Sequence, residues 1–315
     1  MTSATMRAVS QDRLGDPDVL QVVEVERPVP GPSEVLVRVH AAGISPTDWV
    51  HRRLPGFLDQ LPLILGWDVS GVVEAVGVGV TIHEPGDEVF GMLPYPHGHG
   101  SFAEYVTAPA RTFVAKPAGI GHVEAASVPL AALTAYQALV DTAHIRPGQR
   151  VLVHAAAGGV GHFAVQIAKS LGATVIGTAS AAKHELLREL GADELIDYHT
   201  EDFEKAAGEV DVVLDLIGGD YTARSLRTLR PGGTLVSLVL SQTTPLREEA
   251  AALGVRHRLM LVEADQAGML AVADLLRSGA LRPVVQASFP LDQAAQAHEV
   301  GESGRVTGKL VLEIR

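Results

Sequence analysis

The residues with the clearest chemical meaning form one run in mid-chain. Val151-Leu152-Val153 reads as a buried-type strand. His154-Ala155-Ala156-Ala157-Gly158-Gly159-Val160-Gly161 turns out of it into a helical stretch. Ala156, Gly158 and Gly161 keep the spacing of the G-x-G-x-x-G dinucleotide fingerprint, with alanine in the first place. Gly158 would let the backbone approach a pyrophosphate, and Gly161 would let the helix pack close to the strand. The pyrophosphate would rest on the helix N-terminus, where unpaired N–H groups and the helix dipole favour an anion. The alternative is a tight strand-to-helix turn that holds no ligand. The strand–turn–helix alternation around the loop weighs against it.

The following strand bears on which dinucleotide. Chains that bind NAD place a carboxylate about 20 residues on, against the ribose 2′-hydroxyl. Here that strand ends Thr178-Ala179-Ser180-Ala181-Ala182-Lys183, with no carboxylate before Glu185. A hydroxyl and a cation attract a 2′-phosphate that a carboxylate would repel. Ser180 and Lys183 therefore point to NADP(H). Their plainer reading is a helix-capping serine and a solvated lysine.

Such a loop needs a framework, and the chain supplies two rhythms. The first 120 or so residues are β-rich, with alternating runs at 19–25 and 34–40 and a Pro-Val-Pro-Gly-Pro turn at 28–32. Gly71, Gly77 and Gly79 lie within a valine-rich stretch and suggest bulges or barrel corners. Many short strands with turn signals predict a small barrel. From 123 to 141 the apolar spacing is helical. Strands are then expected at 150–154, 174–178, 194–197, 210–214 and 234–238, with helices at 161–171, 182–190 and 221–229. That order predicts a doubly wound parallel sheet. A helix at 266–278 and strands at 283–289 and 309–314 follow.

Composition narrows the function classes. The 315 residues carry a net charge of −12, which disfavours nucleic acid and anionic membrane surfaces as partners. There is no cysteine, so neither a disulfide nor a thiolate-built zinc site can exist. No apolar run is long enough to span a bilayer, and residues 1–18 show no apolar signal core. A cytoplasmic location is the expectation.

Several segments, in order and spread along the chain, carry a family resemblance. They are Gly43-Ile44-Ser45-Pro46-Thr47-Asp48, Leu65-Gly66-Trp67-Asp68-Val69-Ser70-Gly71, Pro85-Gly86-Asp87-Glu88-Val89, Ser101-Phe102-Ala103-Glu104-Tyr105, Leu133-Thr134-Ala135-Tyr136, His154–Gly161 and Gly308-Lys309-Leu310-Val311-Leu312. The chain resembles the medium-chain dehydrogenase/reductases, and within them the zinc-free quinone oxidoreductases. The resemblance implies an α/β protein with a Rossmann domain over 123–262. A GroES-like β-barrel catalytic domain would be formed by 1–122 together with 263–315. Substrate and nicotinamide would meet in a cleft between the domains. Its matching positions imply cofactor contacts from Thr134, from Ala157, Gly158, Gly159, Val160 and Gly161, and from Tyr198. Leu216, Ile217, Leu238, Val239, Leu240 and Lys309 complete that set. Ser45, Thr47, Asp48 and His51 fall on the implied cleft wall, where Ser45, Thr47 and Asp48 are the candidate catalytic groups.

The departures from the family pattern are informative. Zinc enzymes of the family have cysteine where Ser45 stands and Gly-His-Glu where Gly66-Trp67-Asp68 stands, and the loop for the structural zinc is absent here. Without zinc to polarise an alcoholate, alcohol oxidation loses its main device. Hydride delivery from NADPH to a small hydrophobic quinone or α,β-unsaturated carbonyl needs none. The alternatives are a pathway-specific enoyl reductase and a protein that binds NADPH without turnover. His97 and His99, on a glycine-rich loop, read as loop polarity rather than as metal ligands. A homodimer is expected, with the apolar segment 259–262 as an edge strand.

Overall fold

The computed structural model describes residues 4–58, 60–97, 100–239 and 243–315, with 243–245 described by backbone only. It divides into two compact units. The first comprises Met1–Leu133, Glu263–Arg277 and Pro283–Arg315, and the second comprises Thr134–Val262 and Ser278–Arg282.

The first unit is built on mainly antiparallel sheet, with one parallel pair, Val285–Pro290 and Lys309–Glu313. Thr5–Gln11 pairs with Gln21–Glu26 on one side and with Leu63–Ile64 on the other. The larger, seven-stranded sheet runs Val285–Pro290, Lys309–Glu313, Glu34–Ile44, Asp68–Val76, Glu88–Met92 and Phe113–Ala115, with Tyr105–Pro109 also paired to Glu34–Ile44. The pairing of Glu34–Ile44 with Asp68–Val76 slips register twice, once beside Gly71, where a bulge was expected, whereas Gly77 and Gly79 lie beyond the strand. A Cβ on Gly71 would lie 2.2 Å from the Arg38 carbonyl oxygen, which excludes any other residue there.

The expected helix over 123–141 is broken into His122–Ala126, Pro129–Tyr136 and a π-helical turn, Gln137–Thr142. Pro129 supplies no N–H and holds Val128 out of helical conformation, which sets the first break. The helix His122–Ala126 belongs to the first unit because Ala126 packs with Ala41 and Val311.

The second unit is a six-stranded parallel sheet. Its order is Glu194–Asp197, Thr174–Ala179, Arg150–Val153, Val210–Asp215, Leu229–Ser237 and Arg256–Leu259, or 3-2-1-4-5-6 in sequence order. This is the doubly wound dinucleotide-binding topology. The helix Gly161–Ser170 lies on the sheet, every residue from Gly161 to Ala168 being buried. Order reverses between Arg150–Val153 and Val210–Asp215, where the His154 N–H donates to the Leu214 carbonyl. Ligands in such sheets bind outside the carboxyl ends of the strands at that reversal.

The edge strand is Arg256–Leu259 rather than 259–262. The polar residues that hide it from a hydrophobicity reading are what fix it. Arg256 donates to Thr234 Oγ1 and to the Gly232 carbonyl, and His257 meets Ser237 Oγ. Among the described residues, no helix is long and apolar enough to cross a membrane.

Candidate active site

The glycine loop leaves Arg150–Val153 through a left-handed residue, Ala155, at φ +47°. The Ala155 carbonyl accepts from the Gly158 N–H, and the Ala156 N–H donates to Thr178 O on the neighbouring strand. A Cβ on Gly161 would stand 2.3 Å from the Ala155 carbonyl oxygen. That contact is prohibitive, so position 161 is fixed as glycine by the turn itself. Ala156, in the place of the first fingerprint glycine, is buried against Gly177, where an added Cβ would come within 2.9 Å of Ala156 Cβ. The space a glycine would leave in the loop is thus supplied by the strand beside it. In the helix beginning at Gly161 the His162 and Ala164 N–H groups donate to the Gly158 and Val160 carbonyls, and the positive end of the helix dipole faces the loop. These features fit a dinucleotide pyrophosphate over Ala157–Gly161.

The remaining second-unit candidates lie at the same carboxyl edge. Ser180 precedes a short turn at Ala181–Lys183 and makes no side-chain capping bond, so its hydroxyl is not consumed as a cap. Burial holds the Lys183 amine below its ordinary pKa. Tyr198 follows the third strand, half exposed, its ring 4.3 Å from that of His199. Leu216 and Ile217 sit on a loop folded around Asp215. That carboxylate accepts from the Ile217 and Gly218 N–H groups and from Thr222 Oγ1. Leu238 donates its N–H to the Asp215 carbonyl, and Val239 follows it, partly exposed. Leu240 and Ser241 lie outside the described residues, as does His99. Thr134 is buried at the start of the second unit.

In the first unit, the positions that carry zinc ligands in related enzymes hold something else. Leu310 pairs with Ile44, which sets Lys309 across from Ser45. The Lys309 ammonium donates to Ser45 Oγ at 2.6 Å and meets Asp68 Oδ2 at 3.1 Å. Asp68 Oδ1 accepts from the Leu130 N–H. All of these side chains are almost wholly buried. Trp67, beside Asp68 in the chain, is buried, with an indole that can donate but not ligate. An ammonium already occupies the carboxylate and hydroxyl that a metal would use, so these residues do not fit zinc. Among the described residues, no group of three or more His, Cys, Asp or Glu is placed to hold a metal.

Asp48 caps the helix Pro46–Arg53, its Oδ2 accepting from the Ser45 N–H at 2.7 Å. Burial pushes the Asp48 carboxyl up to about 7 and Asp68 adds to the rise, while the Ser45 and Gly66 N–H groups and the Lys309 ammonium pull against it. A carboxyl raised above its unfolded value near 3.8 gives stability that is present below that value and lost as pH rises through 7. Asp48→Asn lacks this loss. Urea unfolding at pH 5 and pH 8 is therefore expected to shift the stability difference toward the variant by about 2–3 kcal/mol. Parallel pH curves for the two proteins would rule the shift out.

Around Asp48 lies an aromatic group that the sequence reading did not assemble. Tyr95 stands edge-on to Trp67 at 5.2 Å, to His51 at 5.9 Å and to Phe57 at 6.2 Å. Thr47 Oγ1 lies 3.2 Å from Tyr95 Oη. Burial lowers the His51 pKa, opposed by its bond to the Thr47 backbone. Tyr95 comes from a loop nearly fifty residues away, and no local pattern could have found it.

Comparison with known proteins gives the lineage. Residues 31–118 match the alcohol dehydrogenase GroES-like domain, and residues 190–312 match the family described as zinc-binding dehydrogenase. The chain is 36% identical to a 2-haloacrylate reductase from Burkholderia sp, over 95% of this chain and 96% of that one. It belongs to the medium-chain dehydrogenase/reductase superfamily. Within that superfamily it falls in the zinc-free quinone oxidoreductase-like group, and it is an oxidoreductase of the superfamily. The structure of the quinone oxidoreductase from Coxiella burnetii superposes with a TM-score of 0.94 at 38% identity, covering 99% of this chain and all of that one. An Escherichia coli quinone oxidoreductase solved with NADPH superposes with a TM-score of 0.87 at 30% identity, covering 99% and 100%. The sheet of the first unit is accordingly GroES-like and that of the second is a Rossmann sheet. The superfamily's NAD(P)-binding character agrees with the loop geometry, whereas the zinc in the second family's description has no counterpart among these residues.

Proposed function

We propose that this protein is a zinc-independent, NADPH-dependent reductase of small hydrophobic quinones or α,β-unsaturated carbonyls. The observation that carries the reading is the Lys309 ammonium on Ser45 and Asp68, which puts a fixed cation where alcohol-oxidising relatives hold their metal. A site without a Lewis acid suits acceptors that are already electrophilic. A bound reduced nicotinamide would supply the hydride. The chain's own work is to hold the pyrophosphate over Ala157–Gly161 and the 2′-phosphate at Ser180, Lys183 and Tyr198, and to exclude water. The NADPH in the Escherichia coli structure and the activated alkene named in the Burkholderia relative support the choice of cofactor and acceptor.

The test is acceptor-dependent oxidation of NADPH and of NADH, with 1,4-benzoquinone, 9,10-phenanthrenequinone and a 2-alkenal. NADPH is expected to be much the faster donor. The double variant Ser180→Asp/Lys183→Glu should raise Kd for NADPH roughly 10–100-fold, the worth of one or two charge-assisted hydrogen bonds, and leave NADH nearly unchanged. Equal losses for both dinucleotides would remove the 2′-phosphate assignment. Binding without turnover of any acceptor would remove the reductase reading.

A further inference from the structure

We propose that the Tyr95 hydroxyl is the proton donor to the acceptor's carbonyl oxygen, and that Thr47 sets the direction of that donation. The proposal rests on the reductase reading above and names a catalytic group for it. Its basis is the hydrogen-bond polarity around His51. His51 Nδ1 lies 2.8 Å from the Thr47 backbone carbonyl. A carbonyl only accepts, so Nδ1 must carry the proton. Nδ1 therefore cannot accept from Thr47 Oγ1, although the two are 3.2 Å apart. The Thr47 hydroxyl proton is left to Tyr95 Oη, also at 3.2 Å. Tyr95 is thereby the acceptor of that bond, and its own O–H proton finds no acceptor among the described residues.

The surroundings suit a donor. Trp67, His51 and Phe57 hold the phenol ring edge-on, and burial is the main cause that keeps its pKa above the ordinary value, with the Asp48 charge assisting and the Thr47 bond opposing. The phenol thus stays protonated through the neutral range. Tyr95 and Thr47 are only partly buried, and the Phe57 ring is 52% exposed, so the hydroxyl pair and an apolar planar wall are open to a ligand. Ser45 and Asp48, by contrast, are closed off at 3% and 1% exposure.

For an enone, hydride addition at the β-carbon moves the C=C electrons toward the carbonyl and leaves the charge on oxygen. The Tyr95 O–H bond breaks as the new O–H bond forms on that oxygen, giving the enol, which tautomerises to the saturated ketone. The tyrosinate keeps the Thr47 hydrogen bond and regains its proton from water. One hydride and one proton are thus added across the acceptor. A reduced quinone leaves a phenolate, no stronger a base than tyrosinate itself, and so depends less on this donor.

The experiment compares wild type, Tyr95→Phe and Thr47→Val on 2-cyclohexenone and 1,4-benzoquinone. It also records the infrared carbonyl stretch of 13C-labelled 2-cyclohexenone bound to the protein. Tyr95→Phe keeps the ring and should lower enone kcat about 100-fold, in the range of a lost general acid, with the quinone rate within about threefold. Thr47→Val should lower the enone rate by a smaller factor. The bound carbonyl stretch, red-shifted in wild type, should return toward the free value in Tyr95→Phe. Equal losses on both acceptors, or an unchanged carbonyl stretch, would overturn the role of Tyr95. A wild type that reduces neither acceptor would instead overturn the reductase reading, and this proposal with it.

Discussion

Replacing Lys309 by methionine should destabilise the protein by about 3–5 kcal/mol, the usual consequence of removing one partner from a buried ion pair. The Lys309 side chain is 3% exposed and that of Asp68 is 1% exposed, so solvent cannot compensate the carboxylate that remains. The loss also frees Ser45 Oγ of its donor and removes a positive charge that now holds the Asp48 pKa down. Two buried carboxyl groups would then face each other with no cation between them, and Asp48 should protonate at still higher pH. Thermal or urea unfolding reads the effect, and a fall in Tm of roughly 10 °C is expected. Adding Asp68→Asn to Lys309→Met should return part of the stability, because the second change removes the charge left unpaired. A single variant as stable as wild type would mean that the pair contributes nothing net. A double variant less stable than the single would mean that Asp68 is held by its Leu130 contact rather than by the lysine.

The second large effect is expected at the glycine loop. In Gly161→Ala the new Cβ would lie 2.3 Å from the Ala155 carbonyl oxygen and 2.8 Å from two Ala156 backbone atoms. Those are backbone atoms, so no side chain can rotate away, and the turn between strand and helix must open. The helix N-terminus then moves off the position at which a pyrophosphate would meet its amides. Affinity for NADPH should fall at least about 100-fold, equivalent to roughly 3 kcal/mol. Gly158→Ala meets only the Ala155 oxygen, at 3.1 Å, and should perturb the turn less. Calorimetric titration measures both. Binding by Gly161→Ala within threefold of wild type would show that the loop tolerates the side chain and that the anion sits elsewhere.

What the sequence revealed follows from the range over which each interaction acts. The loop and its flanking strands were legible because strand, turn and helix signals lie within twenty residues of one another. The strand Glu194–Asp197 and the helix from Gly161 were located closely by apolar periodicity alone. Thr5–Gln11 was missed because Arg7 and Ser10 dilute its alternation and one of its two partners, Leu63–Ile64, lies more than fifty residues away. The helix Pro46–Arg53 was missed because its inward face carries Asp48, His51 and Arg52, whose burial depends on partners far along the chain. Arg52, fully buried, is held by Glu302 and the Gly15 carbonyl. The same holds for the site. Ser45 and Asp48 could be named from a short motif. The ammonium that reaches Ser45 comes from 264 residues away, and the hydroxyl that meets Thr47 comes from 48 residues away.

Ala156, in the loop, and Gly177, on the neighbouring strand, share a single small volume. The first glycine of a dinucleotide fingerprint is therefore a property of a pair of positions, and a search confined to the loop reads half of it. A chain that carries alanine in the loop and glycine across from it spells the same cavity in a different order. Such chains would be under-counted by any scan that demands the glycine at one address, and the second address is where such a scan should look.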